Sequence, residues 1–564
     1  MSFEAWNITR FMFVTGKRRE IAGASELITY LDRQWVREAL ERLCEGFAEA
    51  WRIEENPVEL LSTGAGTARV LVRDEDGAQG GELARRLVTE VTLAALRQAP
   101  GLDVFGAVGE PFAWEDDGAL HAACAGGAAD LARVRRDRPA GEARFMRLPL
   151  VDECASTGLP AEALVEQPGG GFEPLSAESR AKWAAYGRTG DGEGLVRLAA
   201  LAHTTPAGLR RVVEELSETA DWVGVVYVDG NGLGRVFQNF AACVPGTGNR
   251  VYADTLRSFT GRLQACAEEA FRRATATLGR EDDKDAGDDR AALVLPLILG
   301  GDDVVAVCAG QAALPFTEAY LAAYEALTAA DDVVAGVLRR RGGLAGLSAS
   351  AGVAIVKAHF PFAAAARLAY DLLREAKQVK RQVPERPRSA LAFHVLYDSS
   401  GVDLERIRAG TDVEDASLVA QPYVVGAAPE GNVWARGRTW ADLRRRVKAL
   451  RARQVEGNGE EGEASERLLP AAQLHDLREA LFLGPEVADA RLENLLPRFG
   501  ARGLAELAGH SGGGDSLFWA EPSGRRVTGL LDAMAAESFL PPAASDEAET
   551  IPGASGKVAG ERTR

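Results

Sequence analysis

Residues 225–234 read VVYVDGNGLG, and residues 295–307 read LPLILGGDDVVAV. Each is an apolar run that ends on acidic residues. The first belongs to WVGVVYV, Trp222 to Val228, which is almost continuously apolar, as a strand buried on both faces should be. Asp229 then falls where that strand leaves the sheet. Gly230, Gly232 and Gly234 let the backbone turn tightly and approach a phosphate closely. In the second stretch Asp302 and Asp303 sit in a hairpin turn, with Gly300 and Gly301 supplying the backbone freedom. If the two strands are neighbours, three carboxylates converge. They would repel one another unless a cation lay between them. Hard oxygen ligands of this kind suit Mg2+ or Mn2+. Two such ions ~3.5–4 Å apart serve phosphoryl transfer. GGDD alone could equally be an ordinary acidic turn, and GNGLG alone is a weak glycine loop. Their joint placement after two apolar strands favours a metal site on Asp229, Asp302 and Asp303. Gly287-Asp288-Asp289 and Gly514-Asp515-Ser516 follow no strand and are assigned no chemistry.

Working outward, the order around these motifs is strand, helix, hairpin, helix, strand. A helix is expected over Tyr252 to Leu278, and an exposed loop over Glu281 to Arg290. A strand follows over Leu347 to Val356, a helix over Pro361 to Arg381, and a last strand over Ala390 to Leu396. The start of the chain repeats the pattern. Ile8 to Thr15 is expected as a strand and Ala24 to Ala50 as a helix. A strand pair spans Pro57 to Arg73, a helix Glu82 to Gln98, and a strand Leu102 to Val108. Both halves therefore read βαββαβ, a ferredoxin-like order. The fold class expected is α+β, with two ferredoxin-like palm domains plus a helical C-terminal region. The expected divisions are 1–150 for a degenerate first palm and 151–219 for a linker and helical connector. A catalytic second palm takes 220–400, a helical domain 401–540, and a disordered tail 541–564. The stretch Glu110 to Pro174 reads as mostly loop.

The bulk properties limit partners. The 564-residue chain carries a formal net charge of −17, so its body should repel nucleic-acid backbones. Any polynucleotide must meet a local basic patch or a partner subunit. A nucleoside triphosphate is less constrained, because a bound divalent ion offsets its charge. The six cysteines form no CxxC pair, so neither a zinc knuckle nor a disulfide framework is indicated. A reduced, cytoplasmic setting fits. The N-terminal MSFEAWNITRF is not a signal peptide, and no apolar run approaches the ~20 residues of a membrane helix.

On these residues the chain resembles the large polymerase/cyclase subunit of type III CRISPR effector complexes, in its double-palm portion. The matching pieces are YVDGNGLG, LILGGDDVVAV, LSASAGVAIVKAHFPFAAAARLAYDLLREAK and SALAFHV at 389–395. In the first half they are FMFVTGKRREIAGASEL and STGAGTARVLV. The resemblance covers roughly residues 1 to 400, and more loosely the part to about 500. It implies a nucleotidyltransferase that joins ATP into cyclic oligoadenylate messengers for antiviral defence. It also implies work beside other CRISPR effector subunits and guide RNA, without a membrane. Asp229, Asp302 and Asp303 match the catalytic, metal-binding carboxylates. Gly230, Asn231, Gly232 and Gly301 fall in the nucleotide-binding turns. Lys377 matches a helical lysine expected to meet the triphosphate; a solvated helix face is its competing reading. The first palm has Thr63-Gly64-Ala65-Gly66 where an active copy would have GGDD, so it should bind no metal. By resemblance it faces the second palm and holds another nucleotide, with Lys17, Arg18, Arg19 and Ser25 as candidates. GASEL is equally a plain helix start with Ser25 near the cap.

The chain also departs from the family. An HD nuclease needs several His and Asp residues; there are six histidines, and His475-Asp476 has no companions nearby, so no DNase is expected. CASTGLPA at 154–161 resembles half of a four-cysteine zinc site with Cys154 alone remaining, so no zinc is expected. Two further readings stay open: a non-catalytic scaffold binding guide RNA and partner subunits, and a stand-alone cyclase of another defence system.

Overall fold

The computed structural model describes residues 1–541 except for 65, 75–78, 140, 167–169, 188–192, 203, 219, 279–293, 343, 384–387, 398–400, 428–430, 455–465, 468, 500–503, 505 and 508–515. The expected loop over Glu281 to Arg290 and the tail from 542 lie outside the described residues, as do the rejected motif at 287–289 and the first two residues of the one at 514–516.

The first half opens with β1 (Ser2–Trp6), α1 (Ile8–Phe13), α2 (Arg18–Tyr30) and α3 (Val36–Leu43). It continues with β2 (Val58–Gly64), β3 (Thr67–Val72), α4 (Gln79–Gln98) and β4 (Asp103–Ala107). The sheet order is β2-β3-β1-β4, and every pair is antiparallel. This is the ferredoxin-like order read from the sequence. One element was displaced. Ile8 to Thr15, expected as a strand, is a short helix, and the strand lies before it. Asn7 takes a left-handed conformation at φ 58°, which ends the strand, and the helix then buries Phe11, Met12 and Phe13 together. An apolar run this short suits either structure, so the local turn decides. The long helix expected over Ala24 to Ala50 is shifted: helix runs continuously from Arg18 to Leu43, with a π-helical turn at Leu31–Trp35 inside it.

The connector holds more structure than expected. α5 (Ala119–Asp137) occupies part of the stretch read as loop; it is followed by the hairpin β5 (Ala163–Glu166) and β6 (Phe172–Leu175), and then α6 (Ala177–Tyr186), α7 (Glu193–Leu201) and α8 (Pro206–Glu218). Lys182 of α6 is fully buried. Its ammonium donates to the Phe11 carbonyl at 2.5 Å and to Glu178 at 2.6 Å. This pins the connector to the first palm.

The second half runs β7 (Trp222–Gly230), α9 (Leu233–Gln238), α10 (Asn249–Ala276), β8 (Val294–Gly300) and β9 (Asp303–Ala309). It ends with α11 (Gly310–Ala330), α12 (Asp332–Gly342), β10 (Ala349–Lys357) and α13 (Phe362–Ala376). These four strands are ordered β10-β7-β9-β8, again all antiparallel. The order repeats that of the first palm. β7 is central, with Val223, Val225, Val226 and Val228 buried, which is why its sequence is apolar throughout.

The two palms meet at Glu59 of β2, whose side chain is fully buried. It accepts from Arg250 of α10 through both oxygens, at 2.8 and 2.7 Å, and from Arg257 two turns further along the same face. Burial alone would raise the Glu59 carboxyl; the two guanidiniums hold it below its usual range.

Contacts divide the chain into two units. Both palms and the connector, Met1–Lys377 with Leu396–Val402, form the first. Residues 378–395, expected within the second palm, group with the chain from Asp403 onward. That second unit is largely helical, with helices at Trp440–Arg451, Ala471–Phe482, Pro485–Phe499 and Leu530–Ala536. It also holds a small sheet of four two-residue strands that the sequence did not announce, ordered Asp412–Val413, Ala416–Ser417, Arg526–Val527, Trp519–Ala520. Its core is organised by Asp532. This buried carboxylate accepts from Ala420 N at 2.8 Å, Gln421 Nε2 at 2.9 Å and Tyr423 Oη at 2.8 Å. His475 and Asp476 are surface residues, the latter 3.1 Å from Arg491. All six cysteines are unpaired. Among the described residues, no helix is long and apolar enough to cross a membrane.

Candidate metal centre

Three carboxylates meet at one end of the second palm. Asp229 lies at the end of β7, opposite Ser350 of β10. The neighbouring strand β9 begins at Asp303, and Asp302 lies in the turn from β8. The main chain joins the two sides, since Gly230 N donates to Asp302 O at 3.1 Å. That approach requires glycine at 230, because a Cβ there would lie 2.6 Å from the Asp302 Cβ. Gly301 turns at φ +61°, where a side chain would be strained. As a result, one oxygen from each of Asp229, Asp302 and Asp303 lies within 4.8 Å of the others. Asp229 and Asp302 are half-buried, and Asp303 reaches solvent.

Lys377 caps the C-terminus of α13 and places its Nζ 2.5 Å from Asp229 Oδ2. The Asp302 and Asp303 carboxyls are held above their ordinary range. Enclosure by the surrounding protein comes first; repulsion from the neighbouring carboxylates adds to it, and Lys377 partly offsets both. The donor set is all hard oxygen and over-supplied with negative charge, which fits Mg2+ or Mn2+ on Asp229, Asp302 and Asp303.

The crowding has a measurable consequence. Groups whose folded pKa is raised favour the fold while protonated, and lose that advantage as pH rises from the ordinary carboxylate range through neutrality. Chelated protein should therefore be less stable at pH 8 than at pH 6. Allowing for solvent at Asp303, the contribution is about 1 kcal/mol, or roughly one degree in Tm for a unit of this size. Asp302→Asn with Asp303→Asn should shrink that difference in thermal melts, and Mn2+ should raise the Tm of the unmodified protein alone.

The structure thus brings together Asp229, Asp302, Asp303 and Lys377, with Gly230 and Gly301 in the turns beside them. Gly232 starts α9 at φ +89° with open space where a side chain would be. Two expected nucleotide contacts need correction. Asn231 is buried; its side chain donates to Ser348 Oγ at 3.1 Å and accepts from Ser350 Oγ at 3.0 Å, so it fixes the loop after β7. Ser25 is fully buried, and its hydroxyl donates to the Leu297 carbonyl at 2.5 Å, tying α2 to β8. The first-palm cations are also engaged by protein. Lys17 pairs with Glu173 at 2.6 Å, and Arg19 lies 3.9 Å from Glu214. Arg18 donates to the Ala358 carbonyl at 2.6 Å and stacks over Phe362.

Sequence reading missed the layer behind the turn. Gln264 of α10 accepts from Gly301 N at 2.6 Å and donates to Leu299 O at 3.1 Å. Tyr324 of α11, fully buried and stacked on Tyr320, reaches Gly301 O at 3.5 Å. Nothing in a one-dimensional pattern marks these residues, because their role depends on how two helices sit against the hairpin.

The second half is thus a ferredoxin-like palm bearing three converging carboxylates beside a lysine. Residues 222–383 match the family model of the Cas10/Cmr2 second palm domain, and this part of the chain is Cas10-like. Among solved structures, the Csm1-Csm4 cassette in complex with cA4 shares 13% identity, covering 69% of this chain and 53% of that chain at a TM-score of 0.37. The same cassette in complex with pppApA shares 12%, covering 88% and 64% at a TM-score of 0.43. The Csm1-Csm4 subcomplex of the type III-A CRISPR-Csm interference complex shares 14%, covering 69% and 53% at 0.36. The chain spans about half the length of the first of these. No curated protein matches it.

Proposed function

We propose that the protein is a metal-dependent nucleotidyltransferase that joins ATP into cyclic oligoadenylate in type III CRISPR-type antiviral defence. The observation that carries this reading is the convergence of the Asp229, Asp302 and Asp303 carboxylates, within 4.8 Å, beside the Lys377 ammonium. The Cas10-type palm over residues 222–383 supports it. In each elongation step a ribose 3′-hydroxyl releases its proton to solvent as its oxygen bonds the α-phosphorus of a neighbouring ATP, the bond from that phosphorus to the α–β bridging oxygen breaks, and pyrophosphate leaves; ring closure repeats the exchange on the chain's own 5′-triphosphate. Mg2+ or Mn2+ on the three carboxylates would supply a lowered pKa for the attacking hydroxyl and charge compensation for the leaving group. Lys377 exchanges Asp229 for a triphosphate oxygen when nucleotide binds, and holds that end of the substrate. Gly232 keeps a side chain out of the open space at the start of α9, and Gly230 and Gly301 let the two turns close on one another. The net charge of −17 supports a division of labour in which partner effector subunits carry the guide RNA.

The test is incubation with each labelled nucleoside triphosphate and Mg2+ or Mn2+, with and without target RNA bound to the assembled complex. ATP is expected to give pyrophosphate and a cyclic product. Absence of product from every nucleotide under every activator would remove the enzymatic reading.

A further inference from the structure

We infer that Gln264 is a positioning residue that holds the ligand-bearing turn in its metal-binding geometry. The inference rests on the proposed metal site and extends it to a residue that touches neither metal nor nucleotide. The turn between β8 and β9 has little rigidity of its own. Gly300 and Gly301 lack side chains, and Gly301 sits at φ +61°. The same turn carries two carboxylates that repel each other and Asp229. Something outside the hairpin must oppose their separation.

Gln264 does so through both ends of its amide. Its oxygen accepts from Gly301 N at 2.6 Å, and its nitrogen donates to Leu299 O at 3.1 Å. The two bonds bracket Gly300, as a neighbouring strand would. The orientation of the amide is fixed by what it meets. The nitrogen end also donates to Glu268 Oε1 at 2.7 Å, so a flipped amide would set oxygen against a carbonyl and a carboxylate. Gln264 and Glu268 lie one turn apart on α10, the helix whose Arg250 and Arg257 grip Glu59 of the first palm. One helix therefore carries both the tether on the metal-binding turn and the anchor between the palms.

Gln264→Leu removes both hydrogen bonds to the turn, along with the exposed one to Glu268, while leaving every proposed metal ligand in place. Titration of the full-length protein with Mn2+, read by electron paramagnetic resonance, is expected to show about tenfold weaker binding, the scale of one or two lost hydrogen bonds. Circular dichroism should be unchanged. In turnover assays the metal concentration for half-maximal rate should rise, while the rate at saturating metal recovers. General loss of folded protein would instead lower the rate at every metal concentration. Gln264→Asn, which keeps the amide but is one methylene too short, should weaken Mn2+ binding in the same direction, and carries the test if the leucine variant does not fold. Mn2+ affinity within about twofold of the parent in these variants would overturn the inference alone. A parent protein that binds no Mn2+ would overturn it together with the proposed function.

Discussion

Asp302→Asn combined with Asp303→Asn is expected to abolish cyclic product, a fall of roughly 10³-fold or more, the scale on which loss of preorganised active-site charge acts. The change removes two of the three carboxylates that converge within 4.8 Å and leaves Asp229 paired with Lys377. A single remaining carboxylate, already neutralised by an ammonium at 2.5 Å, has little left to offer a divalent ion. The loss should not come from unfolding. The substitution relieves repulsion at a site held together against it, so the variant should melt no lower than its parent without metal. Mn2+ binding should disappear in the same preparation. Product from a folded double variant would mean that these carboxylates are not the metal ligands of the reaction.

Gly352→Ala is expected to destabilise the second palm by about 3 kcal/mol, the upper range for overpacking a well-filled core. Gly352 lies in β10, paired with Tyr227 of β7, and α13 crosses directly over it. An added Cβ would stand 2.1 Å from the Ala369 carbonyl oxygen and 2.2 Å from Leu373 N. Both are main-chain atoms of α13, so no rotamer change relieves the clash; the helix itself must move. The C-terminal cap of that helix is Lys377, so the displacement reaches the metal centre as well as the core. Urea unfolding measures the loss. Gly261→Ala on α10, where an added Cβ meets nothing within 4 Å, is the control, and should stabilise by up to about 1 kcal/mol. Equal midpoints for the two variants would contradict this account of how α13 is seated.

The contrast between these sites explains what could be read from the chain. The carboxylate positions were legible because β7, β8 and β9 are buried apolar strands that end where polar residues begin. Their end points are therefore printed in the sequence. The repeated strand order of both palms was legible for the same reason. The first strand was not, because FMFV is too short for its period to choose between helix and strand, and Asn7 settled the matter by its own backbone conformation. α5 was missed because its alanines and glycines carry little contrast between faces. Two-residue strands such as Arg526–Val527 are too short to show any alternation. Ser25 and Asn231 illustrate a different limit. Their positions beside the motifs were plain, but only packing shows that their polar atoms already have partners. Gln264 is the converse case, unremarkable in its own helix and informative only through the turn it meets.

Glu59 has a consequence for how this chain tolerates change. Its two oxygens serve two guanidiniums of one helix, so losing the acid would leave Arg250 and Arg257 with only the more exposed Glu54 and Asp254 as partners, and no acid from the buried strand of the first palm. Losing either arginine alone would leave the acid only half compensated. The three positions are consequently coupled: a substitution at one costs less when the others have already changed, so they should drift together.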